Sequence, residues 1–144
     1  MNKLIEKPHL IFLLSIPIII LIGILRGDAV LDINVHDTYY IIAYLHLAIL
    51  ISILFGIIGL GYWIMLKAKR KLSKWLTLLH VTLTFAGLIL IYSLLRSSSQ
   101  SEFPIFDDQS YPNSLLTFSA LLLIFSQSTY VINIIIGIFI KNKN

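Results

Sequence analysis

The sequence predicts an all-α membrane protein: an antiparallel bundle of four transmembrane helices with both termini cytoplasmic. Three observations carry this. The chain of 144 residues is 58% hydrophobic and 12% charged, with a mean hydropathy of +0.90, whereas soluble domains are roughly half apolar and about a quarter charged. Its apolar residues fall into four runs near the length of a membrane span, about 20 residues. Its lysines and arginines fall almost entirely between alternate runs. That many spans fill the chain, so a single membrane domain over residues 1–144 is expected, without a soluble appendage.

The elements follow in order. Residues 1–8 are short, polar and basic, with Lys3 and Lys7, and end at Pro8. The first apolar run, 9–25, is interrupted by Pro17. A basic start before an apolar core also suits a signal peptide, but Arg26-Gly27-Asp28 follows in place of a small-x-small cleavage site, so a retained helix is expected. Residues 26–38 form a polar loop. The second span is expected at 39–66, long enough to tilt or project. Residues 67–74 are a strongly basic turn, flanked by Trp63 and Trp75, aromatic residues suited to a membrane interface. The third span is expected at 75–95 and the fourth at 113–140. Between them lies the Ser-rich loop 96–112, with Glu102, Asp107 and Asp108.

Lys3, Lys7, Lys67, Lys69, Arg70, Lys71, Lys74, Lys141 and Lys143 fall on one side of this arrangement, and only Arg26 and Arg96 on the other. Short basic loops stay cytoplasmic, so the basic side is expected inside, in a bacterial inner (plasma) membrane. The net charge of +4 is thus a topology signal and no indication of nucleic acid. The absence of cysteine excludes disulfides, thiolate zinc sites and cysteine-held clusters.

Polar side chains in lipid turn toward other helices. Ser119, Ser126 and Asn133 recur every seven residues, with Gln127 beside them. Thr77, His80, Thr84 and Gly87 share one face of the third span. Ser52, Gly56 and Gly59 make a small-residue face on the second, suited to close helix approach. Interhelical packing accounts for all three sets.

Chemistry concentrates in residues 35–46, which hold two of the four histidines. His36 and Asp37 are expected at the membrane surface. They offer two ligands for a hard cation, too few to close a site without a partner chain. Asp37 and Thr38 serve equally well as caps at the start of the second helix. His46 is expected about 10 Å inside the membrane, at 1.5 Å per residue from Tyr39. An ionisable side chain there is a functional candidate. His80 would lie about 9 Å in from the opposite surface. In a core of about 30 Å the two differ in height by roughly 10 Å, too much for one iron within one chain. His9, beside Pro8, is expected to be an interfacial residue. No nucleophile–base pair, phosphate loop or spaced carboxylate pair can be assembled, so no catalytic residue is expected.

The run His36-Asp37-Thr38-Tyr39-Tyr40-x-x-Ala43-x-x-His46 resembles the signature of subunit I of the heme–copper oxidases, His-Asp-Thr-Tyr-Tyr-Val-Val-Ala-His-Phe-His, at the start of the tenth of its twelve helices. Leu31-Asp32-Ile33 before it, Gly61-Tyr62-Trp63 and Leu79-His80 after it, and Asp107-Asp108-Gln109-Ser110-Tyr111-Pro112 further on are similar to the family in the same order. The resemblance covers the last four helices of that subunit. It implies that His46 stands where the family ligates its low-spin heme, and His36 and Asp37 where it binds magnesium. Tyr44 stands in place of the axial histidine of the high-spin heme; tyrosine can ligate heme iron but is no neutral imidazole. The arginine pair that meets the heme propionates has no counterpart near Phe103-Pro104-Ile105-Phe106. The ligands carried by the first eight helices have none either.

The expected function is therefore a non-catalytic accessory or structural subunit of a respiratory membrane complex. Its expected partners are the lipid bilayer and other membrane subunits, or further copies of the chain. The alternative is a heme-binding electron-transfer or heme-handling protein using His46, with Tyr44 or a partner histidine assisting. A third reading, a small proton-conducting bundle, would use Ser126, Gln127 and Asn133.

Overall fold

In a computed structural model, which describes residues 7–35, 38–98 and 110–140, the element order is α1 (Pro8–Leu25), β1 (Val30–Val35), β2 (Thr38–Ala43), α2 (Tyr44–Lys67), α3 (Lys74–Ser98) and α4 (Ser110–Phe139). All four helices contain a stretch long and apolar enough to cross a membrane. The chain is an integral membrane protein. The helices pack as pairs within two compact units, Met1–Lys69 and Arg70–Asn144.

In the first unit α1 starts with Pro8 at the helix N-terminus, where a missing N–H costs nothing. It stops where Gly27 takes φ +58°, the left-handed turn that glycine adopts most readily. Helices α1 and α2 run antiparallel, since contacts near residue 12 of one meet residues 55–62 of the other, while Gly23 meets residues 44–48. Phe12, Phe55 and Tyr62 are fully buried. Phe12 meets Phe55 edge-on at 5.1 Å between ring centroids and stacks with Tyr62 at 6.1 Å, geometries worth about 0.5–1.5 kcal/mol each beyond burial. The small-residue face works as expected at Gly59, where a Cβ would lie 2.9 Å from Leu13 Cγ. Ser52 is buried as well. The tightest approach is at Gly23, where a Cβ would come within 2.6 Å of Ala48 Cβ.

One departure from the sequence reading lies between these helices. A two-stranded antiparallel hairpin, β1 paired with β2, runs in register from Val30↔Ala43 to Val35↔Thr38. Residues 38–43, expected in the second helix or at its cap, are a strand. The run Thr38-Tyr39-Tyr40-Ile41-Ile42 is β-branched and aromatic, the composition that favours a pleated strand. Helix α2 begins only at Tyr44, with Ala43 in extended conformation before it and no side-chain cap. Thr38 therefore caps no helix. Asp37, given the same role, lies outside the described residues. The hairpin also qualifies the all-α class: the membrane part is helical, with a small sheet at one end.

In the second unit the expected polar faces of α3 and α4 meet. Thr77, His80, Thr84, Ser119, Ser126 and Asn133 are all buried, none more than 2% exposed. Asn133 Nδ2 donates to Thr77 Oγ1 at 2.8 Å, and its Oδ1 accepts from the Ser73 N–H at 2.9 Å. Ser126 Oγ donates to the His80 carbonyl at 3.0 Å and shares a hydrogen bond with Thr84 Oγ1. Gly87 admits Leu123, whose Cδ2 would lie 2.8 Å from an added Cβ. The basic turn closes over the end of α4: Arg70 donates to the Ile138 carbonyl at 2.8 Å and the Lys71 N–H to the Ile140 carbonyl at 3.3 Å. Those carbonyls have no partner within the helix, and a cation suits the negative end of its dipole.

Candidate functional site

Two of the candidate residues, Tyr44 and His46, lie where the hairpin leads into α2. Hydrogen bonds from Ala29 N–H to the Arg26 carbonyl and from Tyr44 N–H to the Ala29 carbonyl, both 3.2 Å, fasten the base of the hairpin to both helices. This brings Arg26 over the Tyr44 ring, 5.3 Å from guanidinium to ring centroid, a cation–π contact. Arg26 is half-buried, and so is Tyr44. Sequence reasoning placed Arg26 in a loop and gave it no role; eighteen residues of separation hide the contact.

Tyr44 is the first residue of α2 and His46 the third. At about 100° per residue they point some 200° apart around the helix, so they cannot bind one iron from the same side. His46 is exposed. Because the strand takes up residues 38–43, His46 lies in the first turn of α2, about 3 Å along the axis from Tyr44, rather than seven residues into a helix that starts at Tyr39. His36 and Asp37, the expected magnesium ligands, lie outside the described residues.

The described residues contain no group of three His, Cys, Asp or Glu side chains that could hold a metal ion. The heme that the resemblance implies finds one exposed imidazole at this corner and, on another face of the helix, a phenol in place of an imidazole. These residues do not by themselves form a two-ligand heme site. His80 is buried in the other unit, its ring 5.2 Å from that of Tyr130. It is built into the seam between α3 and α4.

His9 lies in the first turn of α1, half-buried. It lines an open cleft with Lys7, Leu10, Trp63, Leu66 and Lys67. No sequence signal marked this cleft, because it joins residues more than fifty positions apart.

Four apolar helices packed as two pairs, with a short β-hairpin leading into α2, define a polytopic membrane protein. The chain belongs to the family described as cytochrome c and quinol oxidase polypeptide I, whose profile matches residues 3–99. It is 33% identical over 119 residues to cytochrome c oxidase subunit 1 of Thermostichus vulcanus, which covers 78% of this chain and 22% of that protein. It is 28% identical over 138 residues to the Synechocystis protein of the same name, covering 92% of this chain and 25% of the relative. With that of Cereibacter sphaeroides it shares 35% identity over 66 residues, 45% of this chain and 12% of the other. The chain thus spans about a quarter or less of the length of these relatives. No solved structure matches it.

Proposed function

We propose that the chain is a non-catalytic accessory or structural subunit of a respiratory membrane complex, its two units serving as one membrane domain that supplies helix-packing surface. The observation that carries this reading is Tyr44. In the position where the resemblance expects an axial histidine stands a phenol, which does not reproduce the neutral imidazole of that family. The buried surfaces of the helices are spent on aromatic packing and a hydrogen-bonded polar seam, which suits a scaffold. Both termini face the cytoplasm of a bacterial plasma membrane, a reading supported by the nine basic residues that the sequence assigns to one side of the four spans. In such a complex His36 and Asp37 contribute to a magnesium ion that a partner chain completes. Affinity purification of the tagged chain from its native membrane in mild detergent tests the proposal. Co-purification of other respiratory subunits in fixed ratio is expected; recovery only as a monomer or homo-oligomer contradicts it.

The second reading is a heme-binding or heme-handling protein, with His46 as one ligand and a partner's histidine as the other. The exposure of His46 at the start of α2 favours it, since a group could reach that imidazole from outside the chain. It requires a heme band in the parent complex that His46→Ala removes while the protein stays folded.

A further inference from the structure

We infer that the cleft between the N-terminal end of α1 and the C-terminal end of α2 is a binding site for the phosphate of an anionic phospholipid. The cleft has a volume of about 510 Å³ and is lined by Lys7, His9, Leu10, Trp63, Leu66 and Lys67. Two lysines bring positive charge to a place where two candidate spans reach their ends. The Lys67 ammonium sits 4.6 Å from the centre of the Trp63 ring, which holds it at the cleft and leaves its N–H groups able to reach an anion. The first turn of α1 contains no acidic residue, and its capping position, Lys7, makes no side-chain cap bond. The positive end of that helix dipole therefore adds to the lysines. His9 Nδ1 is buried with no hydrogen-bond partner among the described residues; an oxygen of the headgroup or its ester would supply one.

The apolar part of the cleft decides between a lipid and a soluble anion. Leu10 and Leu66 line it beside the charges. Leu10, Leu14, Ile57, Leu60 and Ile64 continue as exposed apolar surface along the two helices, where acyl chains would lie. An indole at the same level is the side chain found where headgroups meet hydrocarbon. The topology expected from the sequence gives this side of the membrane nine basic residues and one acidic one, Glu6, so the attraction is for anionic rather than zwitterionic headgroups.

The test uses the full chain in mild detergent, with binding read by native mass spectrometry during titration with phosphatidylglycerol or with phosphatidylcholine. A basic residue near an anionic surface contributes about fivefold in affinity, so the Lys7→Gln, Lys67→Gln double variant should bind phosphatidylglycerol roughly ten- to thirtyfold more weakly. The Lys69→Gln, Lys71→Gln variant, outside the cleft, should bind it as the parent does. In a Trp75→Phe background, brominated phosphatidylglycerol should quench Trp63 fluorescence, and the lysine substitutions in the cleft should relieve that quenching. Circular dichroism confirms that each variant is folded. Equal loss in both double variants would overturn the proposal in favour of general charge attraction. Equal binding of phosphatidylcholine, or displacement of the lipid by millimolar inorganic phosphate, would also overturn it.

Discussion

Replacing Asn133 probes the seam of the second unit most sharply. The side chain is fully buried. It joins α4 to α3 by donating to Thr77 Oγ1 at 2.8 Å, and to the residue just before α3 by accepting from the Ser73 N–H at 2.9 Å. Hydrogen bonds between membrane helices average about 0.6 kcal/mol and reach about 1.7. Two of them put Asn133→Ala at about 1–3 kcal/mol of destabilisation. The Ser73 N–H lies at the start of α3, where water can take over its bond, which favours the lower half of that range. Thr77→Val removes the hydroxyl at nearly constant shape, together with its own bond to the Ser73 carbonyl at 2.9 Å. The double-mutant cycle cancels that local loss and isolates the bond between the helices, with an expected coupling of about 0.6–1.7 kcal/mol. The assay is reversible unfolding of the full chain in micelles by titration with a denaturing detergent, followed by circular dichroism. Additivity to within about 0.3 kcal/mol would refute the argument, because two side chains in a shared buried bond cannot act independently.

Two further outcomes follow from the packing. Gly23→Ala should destabilise the first unit by about 1–3 kcal/mol, the usual range for overpacking, because the new Cβ meets Ala48 Cβ at 2.6 Å, a methyl fixed to the backbone that cannot swing aside; the same unfolding titration reads it, and an unchanged midpoint would contradict the close approach. Arg70→Gln should cost about 0.3–1 kcal/mol, less at high salt, by removing the charge that reaches the Ile138 carbonyl; a loss that does not change with ionic strength would count against the dipole contribution.

What the sequence made legible was the part governed by lipid. Runs of apolar residues announce spans because a helix satisfies its own backbone in hydrocarbon. Polar residues at helical spacing announce a seam because they have nowhere else to turn, and Ser126, Asn133, Thr77 and Thr84 are buried together as their spacing implied. The hairpin was hidden for the same reason. Tyr39, Tyr40, Ile41 and Ile42 run directly into the apolar residues of α2, and hydropathy does not separate a strand from the helix it leads into. A cue was present in Leu31-Asp32-Ile33-Asn34-Val35, which alternates β-branched or aliphatic residues with polar ones and needs a partner strand. The pairing with Thr38–Ala43 moves the start of α2 by five residues and His46 from the interior of the expected helix to the first turn of α2. Arg26 over Tyr44, and Lys7 near Lys67, are tertiary facts with no local pattern to reveal them.

The scaffold role proposed above requires that the chain carry no heme of its own. The most direct measurement is a reduced-minus-oxidised visible spectrum, with heme extraction, of the full chain separated from its partners in mild detergent, for the parent and for His46→Ala. The account predicts that parent and variant, both folded, give the same spectrum without stoichiometric heme. A heme band near one equivalent per chain that vanishes in His46→Ala would contradict it and make His46 an axial ligand.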